Sequence, residues 1–156
     1  MGFWKKIIVG ICAVFLVMVG VVSVCFYFFS SFQDMWEMCG NTVLTQYPSP
    51  NRKLKAVVFE RSCGATTGFS TQVSILQTGS VLENAGANLF VADTDHGRAP
   101  SGFGGGPEVR FLWISDSSAE LQYHPLARTY LALPEVEGVQ VSFLVAPPPP
   151  NLQSTP

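Results

Sequence analysis

The chain has 156 residues, of which 47% are hydrophobic and 13% charged, with a formal net charge of −2. That length leaves room for one small domain beside any membrane segment, and the weak acidic balance argues against a nucleic-acid-binding surface. Few charges on so apolar a chain direct attention to the membrane first.

Residues 7–29 form an apolar run interrupted only by Gly10, Gly20 and Ser23, preceded by Lys5 and Lys6. Twenty-three residues at 1.5 Å each extend about 35 Å, enough to cross a hydrocarbon core of about 30 Å. The lysines on the short flank predict a cytoplasmic N-terminus, with the remainder exported across the membrane. Trp4 on one side, and Tyr27 with Trp36 on the other, fall near the headgroup levels that amphipathic rings favour. A cleaved signal peptide would have a shorter apolar core and a better cleavage site than Val21-Val22-Ser23. A lipoprotein would need a small residue before Cys25 or Cys39, where Val24 and Met38 stand. The expected organisation is therefore a cytoplasmic segment 1–6, a transmembrane helix 7–29 in contact with lipid, a juxtamembrane segment 30–38, a β domain 39–145 and a disordered tail 146–156.

The exported part from residue 30 carries seven Lys plus Arg against eleven Asp plus Glu, a formal charge of −4. Such a surface opposes binding to nucleic acid and electrostatic adhesion to anionic lipid. Cys12 and Cys25 lie in the apolar run, where a thiol acts as a small hydrophobe, which leaves Cys39 and Cys63 in an oxidising compartment. A Cys39–Cys63 disulfide is expected, adding about 3.5 kcal/mol in the chain-entropy picture. Two separately buried thiols are the alternative, since sequence does not show that the two Cα atoms approach.

Beyond the anchor the hydrophobic period is two. Residues 55–61 read as a strand entered from the turn Pro48-Ser49-Pro50-Asn51, and residues 71–76 as its hairpin partner across the loop 62–70. Residues 88–92 form a short third strand, and residues 108–114 a fourth with Val109, Phe111 and Trp113 on one face. Asp116-Ser117-Ser118 turns the chain into residues 120–124. Residues 128–133 read as either a strand or a helical turn. The last strand, 139–145, alternates Val139, Val141, Phe143 and Val145 with Gln140, Ser142 and Leu144. The fold class is mainly β: one N-terminal transmembrane helix, then a small antiparallel meander built as a sandwich or a partly closed barrel. Four consecutive prolines from Pro147 end the sheet and favour polyproline II.

Cys63-Gly64-Ala65-Thr66-Thr67-Gly68-Phe69-Ser70, with Val91-Ala92-Asp93-Thr94-Asp95-His96-Gly97 and Gly105-Gly106-Pro107-Glu108-Val109, resembles an uncharacterised group of small bacterial membrane-anchored envelope proteins. The likeness spans residues 39–145. It implies a bacterial envelope location and brings no activity, ligand or site residue.

Candidate chemistry is sparse. Asp93, Asp95 and His96 place two carboxylates and an imidazole in one loop, a composition able to hold a divalent cation, but also that of an ordinary turn; the EF-hand pattern is missing, and no metal or other cofactor is expected. Ser101-Gly102-Phe103-Gly104-Gly105-Gly106-Pro107 has Pro107 where a dinucleotide fingerprint needs glycine, so it reads as a flexible or bulged connection, a potential mobile rim over a groove. Cys63 with His96 or His124 would suit thiol catalysis only if reduced, and no Gly-x-Ser-x-Gly elbow occurs, so no catalytic residue is expected. The function expected is a membrane-anchored binding or scaffolding domain with an envelope protein as its partner. Two alternatives stand beside it: a metal-dependent site or enzyme on the loop from Asp93 to His96, and a membrane-tethered immunity protein.

Overall fold

The computed structural model describes residues 2–34, 39–64 and 67–147. Trp36, Ala65 and Thr66, and the proline tail from residue 148 onward lie outside the described residues. The chain forms two compact units, Met1–Met38 and Cys39–Pro156.

The first unit is one α-helix, α1 (Gly2–Asp34), longer at both ends than the apolar run. Its part Gly2–Phe29 is long and apolar enough to cross a membrane, and none of it is buried against protein. Its described apolar side chains are exposed all round, so there is no single stripe for a protein core to cover, which is the pattern of a helix solvated by lipid. Ser23, which interrupts the apolar run, donates to the Val19 carbonyl at 2.9 Å and so meets its hydrogen-bonding need within the helix.

The second unit is a β sandwich. One sheet has the order β1-β2-β3-β4-β7, formed by β1 (Gly40–Pro48), β2 (Leu54–Ser62), β3 (Ser70–Gln77), β4 (Phe90–Asp93) and β7 (Arg128–Ala132). The other has the order β5-β6-β9-β8, formed by β5 (Val109–Ser115), β6 (Ser118–Tyr123), β8 (Glu135–Val136) and β9 (Val139–Val145). Alternation along the strands directs Ala56, Val58, Val73, Ile75, Phe90 and Ala92 of the first sheet at Phe111, Ala119, Leu121, Val139 and Val141 of the second, forming one core. Phe90 lies at its centre, its ring 5.0 Å from that of Tyr123 and 6.1 Å from that of Phe143.

Most expected strands stand with ends shifted by a few residues, and the ambiguous segment at 128–133 is a strand. Two features depart from the meander. β1 was not expected as a strand, because a bulge between Val43 and Thr45 breaks its alternation and its edge position leaves Thr42, Val43 and Gln46 exposed. In addition, β6 pairs with β9 in parallel, since the chain crosses to the first sheet as β7 before returning. The third strand begins two residues later than expected, at Phe90, because Asn88 serves the sheet with its side chain instead of its backbone.

Cys39 and Cys63 form a disulfide beside the first pair of the β1·β2 ladder, Gly40 with Ser62. The pairs Arg61 with Ser70, Ser70 with Asp93, and Asp93 with Arg128 continue across the sheet, so the disulfide, the Asp93 loop and the start of β7 share one end of the sandwich. At the other end lie the turns that join β1 to β2 and β5 to β6, linked where Asp116 accepts a hydrogen bond from the Asn51 amide at 2.9 Å.

Candidate functional site

The segment from Thr78 to Asn88 has no regular structure, yet many hydrogen bonds tie it to the sheet. It crosses the outer face of the first sheet. Val57 and Phe59 alternate with the core residues Ala56 and Val58, so they face away from the core, and both are nonetheless buried, at 1% and 0% exposure. Polar Gln72 and Ser74 on that same outer face are buried with them.

The strap is held there by neutral amides. Asn88 accepts from the Ile75 amide and donates to the Ile75 carbonyl, each at 2.9 Å, replacing the strand neighbour that β3 lacks at that point. Gln72 accepts from the Ala87 amide at 2.8 Å, and Ser74 from the Asn88 amide at 3.2 Å. Near the disulfide, Asn41 donates to the carbonyls of Glu83 and Ala85, while Asn84 donates to the carbonyl of Cys39. Arg61 donates to the side-chain oxygens of both Asn41 and Asn84. Every buried side-chain polar atom among the described residues has a partner, so the strap satisfies the polar groups it covers.

Between strap and sheet an open groove of about 670 Å³ remains. Val43, Val81 and Leu82 supply apolar surface above the buried Val57, and Asn41, Gln46, Lys55 and Asn84 supply donors and acceptors. Such a mixed lining suits a ligand that carries both an apolar group and hydrogen-bonding atoms. The groove runs beside β1, the edge strand of its sheet. Sequence reading missed this site. Its signals were Val81 and Leu82 in an otherwise polar loop, and the asparagines at 41, 84 and 88, which look like ordinary loop residues until their partners are known.

The loop from Asp93 to His96 is a charged turn. Asp95, His96 and Gly97 all have positive φ, at 48°, 59° and 86°, reversing the chain within three residues. The Asp93 carboxylate accepts from the Asp95 amide at 2.8 Å, from the Tyr130 hydroxyl at 2.8 Å, and from Arg128 Nε and Nη2 at 3.2 and 2.5 Å. Arg128 also stacks over the Tyr130 ring, 5.2 Å from its centroid. Asp95 accepts from Arg98 at 2.7 Å. Partial burial of Asp93 opposes its ionisation, but the Arg128 hydrogen bonds, the Asp95 amide and the Tyr130 hydroxyl outweigh it and hold the carboxyl below its ordinary value. The same contact pushes the Tyr130 hydroxyl up. The two carboxylates thus face arginines, and His96 is exposed; among the described residues no three His, Cys, Asp or Glu side chains gather as a metal site.

Two other candidates resolve by geometry. Cys63 is bonded to Cys39 and presents no thiolate, while His124 accepts at Nδ1 from the Leu126 amide at 3.1 Å in a local turn. The glycine-rich loop is closely packed against the first sheet. Gly104, Gly106 and Pro107 are buried, the Gly102 amide donates to the Gly106 carbonyl at 2.7 Å, and Ser101 bridges to Pro107. A Cβ on Gly106 would lie 2.5 Å from Thr71 Oγ1 and 2.6 Å from the Thr71 nitrogen, so glycine is required there by close approach to β3. No family model, curated protein or solved structure matches this chain.

Proposed function

We propose that this chain is a single-pass protein of the bacterial inner membrane, N-terminus inside, whose β sandwich works outside the cytoplasm as a binding or scaffolding module for an envelope protein. The observation that carries the binding reading is the groove beneath the strap: an ordered, partly apolar cleft beside an edge strand, built by a loop whose hydrogen bonds keep it in place. An extended peptide segment is the ligand class that fits, because an edge strand offers backbone pairing and Val43, Val81 and Leu82 offer contact to an apolar side chain. The location rests on three supports: the apolar helix, the Lys5-Lys6 flank and the Cys39–Cys63 disulfide, a bond suited to an oxidising compartment.

Two measurements test the reading. A reporter active only outside the cytoplasm, fused after Val145, should be active; activity of a cytoplasm-only reporter at that position would overturn the orientation. A benzophenone side chain placed at position 81 in living cells should form a discrete protein adduct that Val43→Asp, at an exposed position of the groove wall, abolishes without loss of the folded chain. No adduct at 81, or one indifferent to Val43→Asp, would refute a groove-bound partner.

A further inference from the structure

The end of the sandwich that carries the disulfide also carries an aromatic rim. Phe103, at the tip of the glycine-rich loop, is fully exposed at 102%. It is held out by construction: the flanking backbone is closed by the Gly102–Gly106 hydrogen bond, and Gly104 and Gly106 lie so close to Leu44 and Thr71 that the loop packs with its backbone and projects its one large side chain. Phe69, 47% exposed, packs against Gly105, where an added Cβ would be 2.6 Å from its ring. Two phenylalanines therefore share one rim, one of them with its whole ring in water. A rigid loop that presents a bare aromatic ring has the form of a surface made for a contact.

Cys39 lies at this same end, joined to Cys63 and accepting a hydrogen bond from Asn84. In the sequence only four residues separate Cys39 from Asp34, the last residue of the apolar helix. We propose that Phe103 and Phe69 insert into the headgroup region of the bilayer that the helix spans, docking this end of the β domain on the membrane surface. The proposal rests on the membrane-anchor reading above and adds a second, peripheral contact to it.

The chemistry favours lipid over an anionic or cationic partner. The exported part has a formal charge of −4, so electrostatic attraction does not draw it to an acidic bilayer, and the contact must be apolar. Two rings alone bind a membrane weakly, but a short tether turns docking into an intramolecular event at high effective concentration. The arginines placed at this end of the sandwich are already engaged: Arg61 donates to Asn41 and Asn84, Arg128 is held by Asp93, and Arg98 by Asp95.

The test uses the full chain in vesicles made of phospholipid with an alkyne-tagged acyl chain. Benzophenone is placed singly at position 103, at position 24 within the helix, and at position 114, an exposed site towards the opposite end of the domain. Tagged-lipid adducts are expected at 24 and at 103, with at least about tenfold more at 103 than at 114, given the tethered geometry. Phe69→Ser should lower the yield at 103 several-fold while leaving that at 24 unchanged. Adduct at 24 with none above the 114 level at 103 would overturn the docking and leave the anchor intact; no adduct at 24 would overturn the anchor itself.

Discussion

The strap from Thr78 to Asn88 and the glycine-rich loop from Ser101 to Pro107 both lie against the first sheet without regular structure, and they are ordered by opposite means. The strap uses side chains as substitute backbone: Asn88 gives Ile75 the donor and acceptor of a missing strand, and Gln72 and Ser74 hold the next amides. The glycine-rich loop uses the absence of side chains, bringing its backbone to within a distance of Thr71 that no Cβ permits. Order thus follows in one loop from filling each hydrogen-bonding need and in the other from removing steric obstacles. Each mechanism fails in its own way.

The largest effect is expected in the second mechanism. In Gly106→Ala the new methyl meets the Thr71 backbone nitrogen, which a ladder-bound strand does not readily move, and the strain should cost about 3 kcal/mol or more. Gly79→Ala is the control, since nothing lies within 4 Å of its Cβ position and its φ is not positive. Thermal or urea unfolding of the two variants in detergent decides the matter. Equal midpoints would mean that the close approach at Gly106 relaxes freely and that glycine there is a matter of chance.

The first mechanism should yield a smaller loss. Asn88→Ala leaves the amide and carbonyl of Ile75, a fully buried residue, without partners, at about 2 kcal/mol for the pair after partial relaxation and water entry. Asn88→Asp sharpens the point: the carboxylate keeps the acceptor for the Ile75 amide but offers no donor to the carbonyl, so it should recover only part of the loss at neutral pH. Full recovery would show that the donor half of the pairing contributes nothing.

The contrast also explains what a sequence discloses. Alternation revealed β2, β3, β5 and β9 because their inward residues share one core, and two cysteines in an oxidising compartment pointed to their bond. Runs of glycine announced a special loop, though not that it was closely packed, because the requirement arises from Thr71, more than 30 residues away. The strap gave almost no local sign, since an asparagine that replaces a strand and one that merely caps a turn are the same letter. β1 was hidden by its bulge and edge exposure. In the Asp93 loop the residues were legible but their partners were not: Arg128 and Tyr130 come from β7, 35 and 37 positions further on.

That charged turn supplies the smallest effect and a third kind of order. Its contacts hold the Asp93 carboxyl below the ordinary value of 3.8, so its contribution is whole above that pH and is lost as pH falls through the lowered folded value. The strap's hydrogen bonds at Ile75 and Ala87 run through neutral amides and have no such dependence. Acidification from about pH 5 towards pH 2 should therefore loosen the turn selectively, seen as reduced amide-exchange protection at Asp95, Arg98 and Ala99, while Ile75 and Ala87 keep theirs after correction for intrinsic exchange. In Asp93→Asn the acid-dependent loss at the turn should vanish, because the amide keeps a weaker form of the contact at every pH. A turn whose protection is flat with pH in the parent chain, or falls equally in Asp93→Asn, would show that geometry alone orders it, with Asp95, His96 and Gly97 at positive φ and the carboxylate idle.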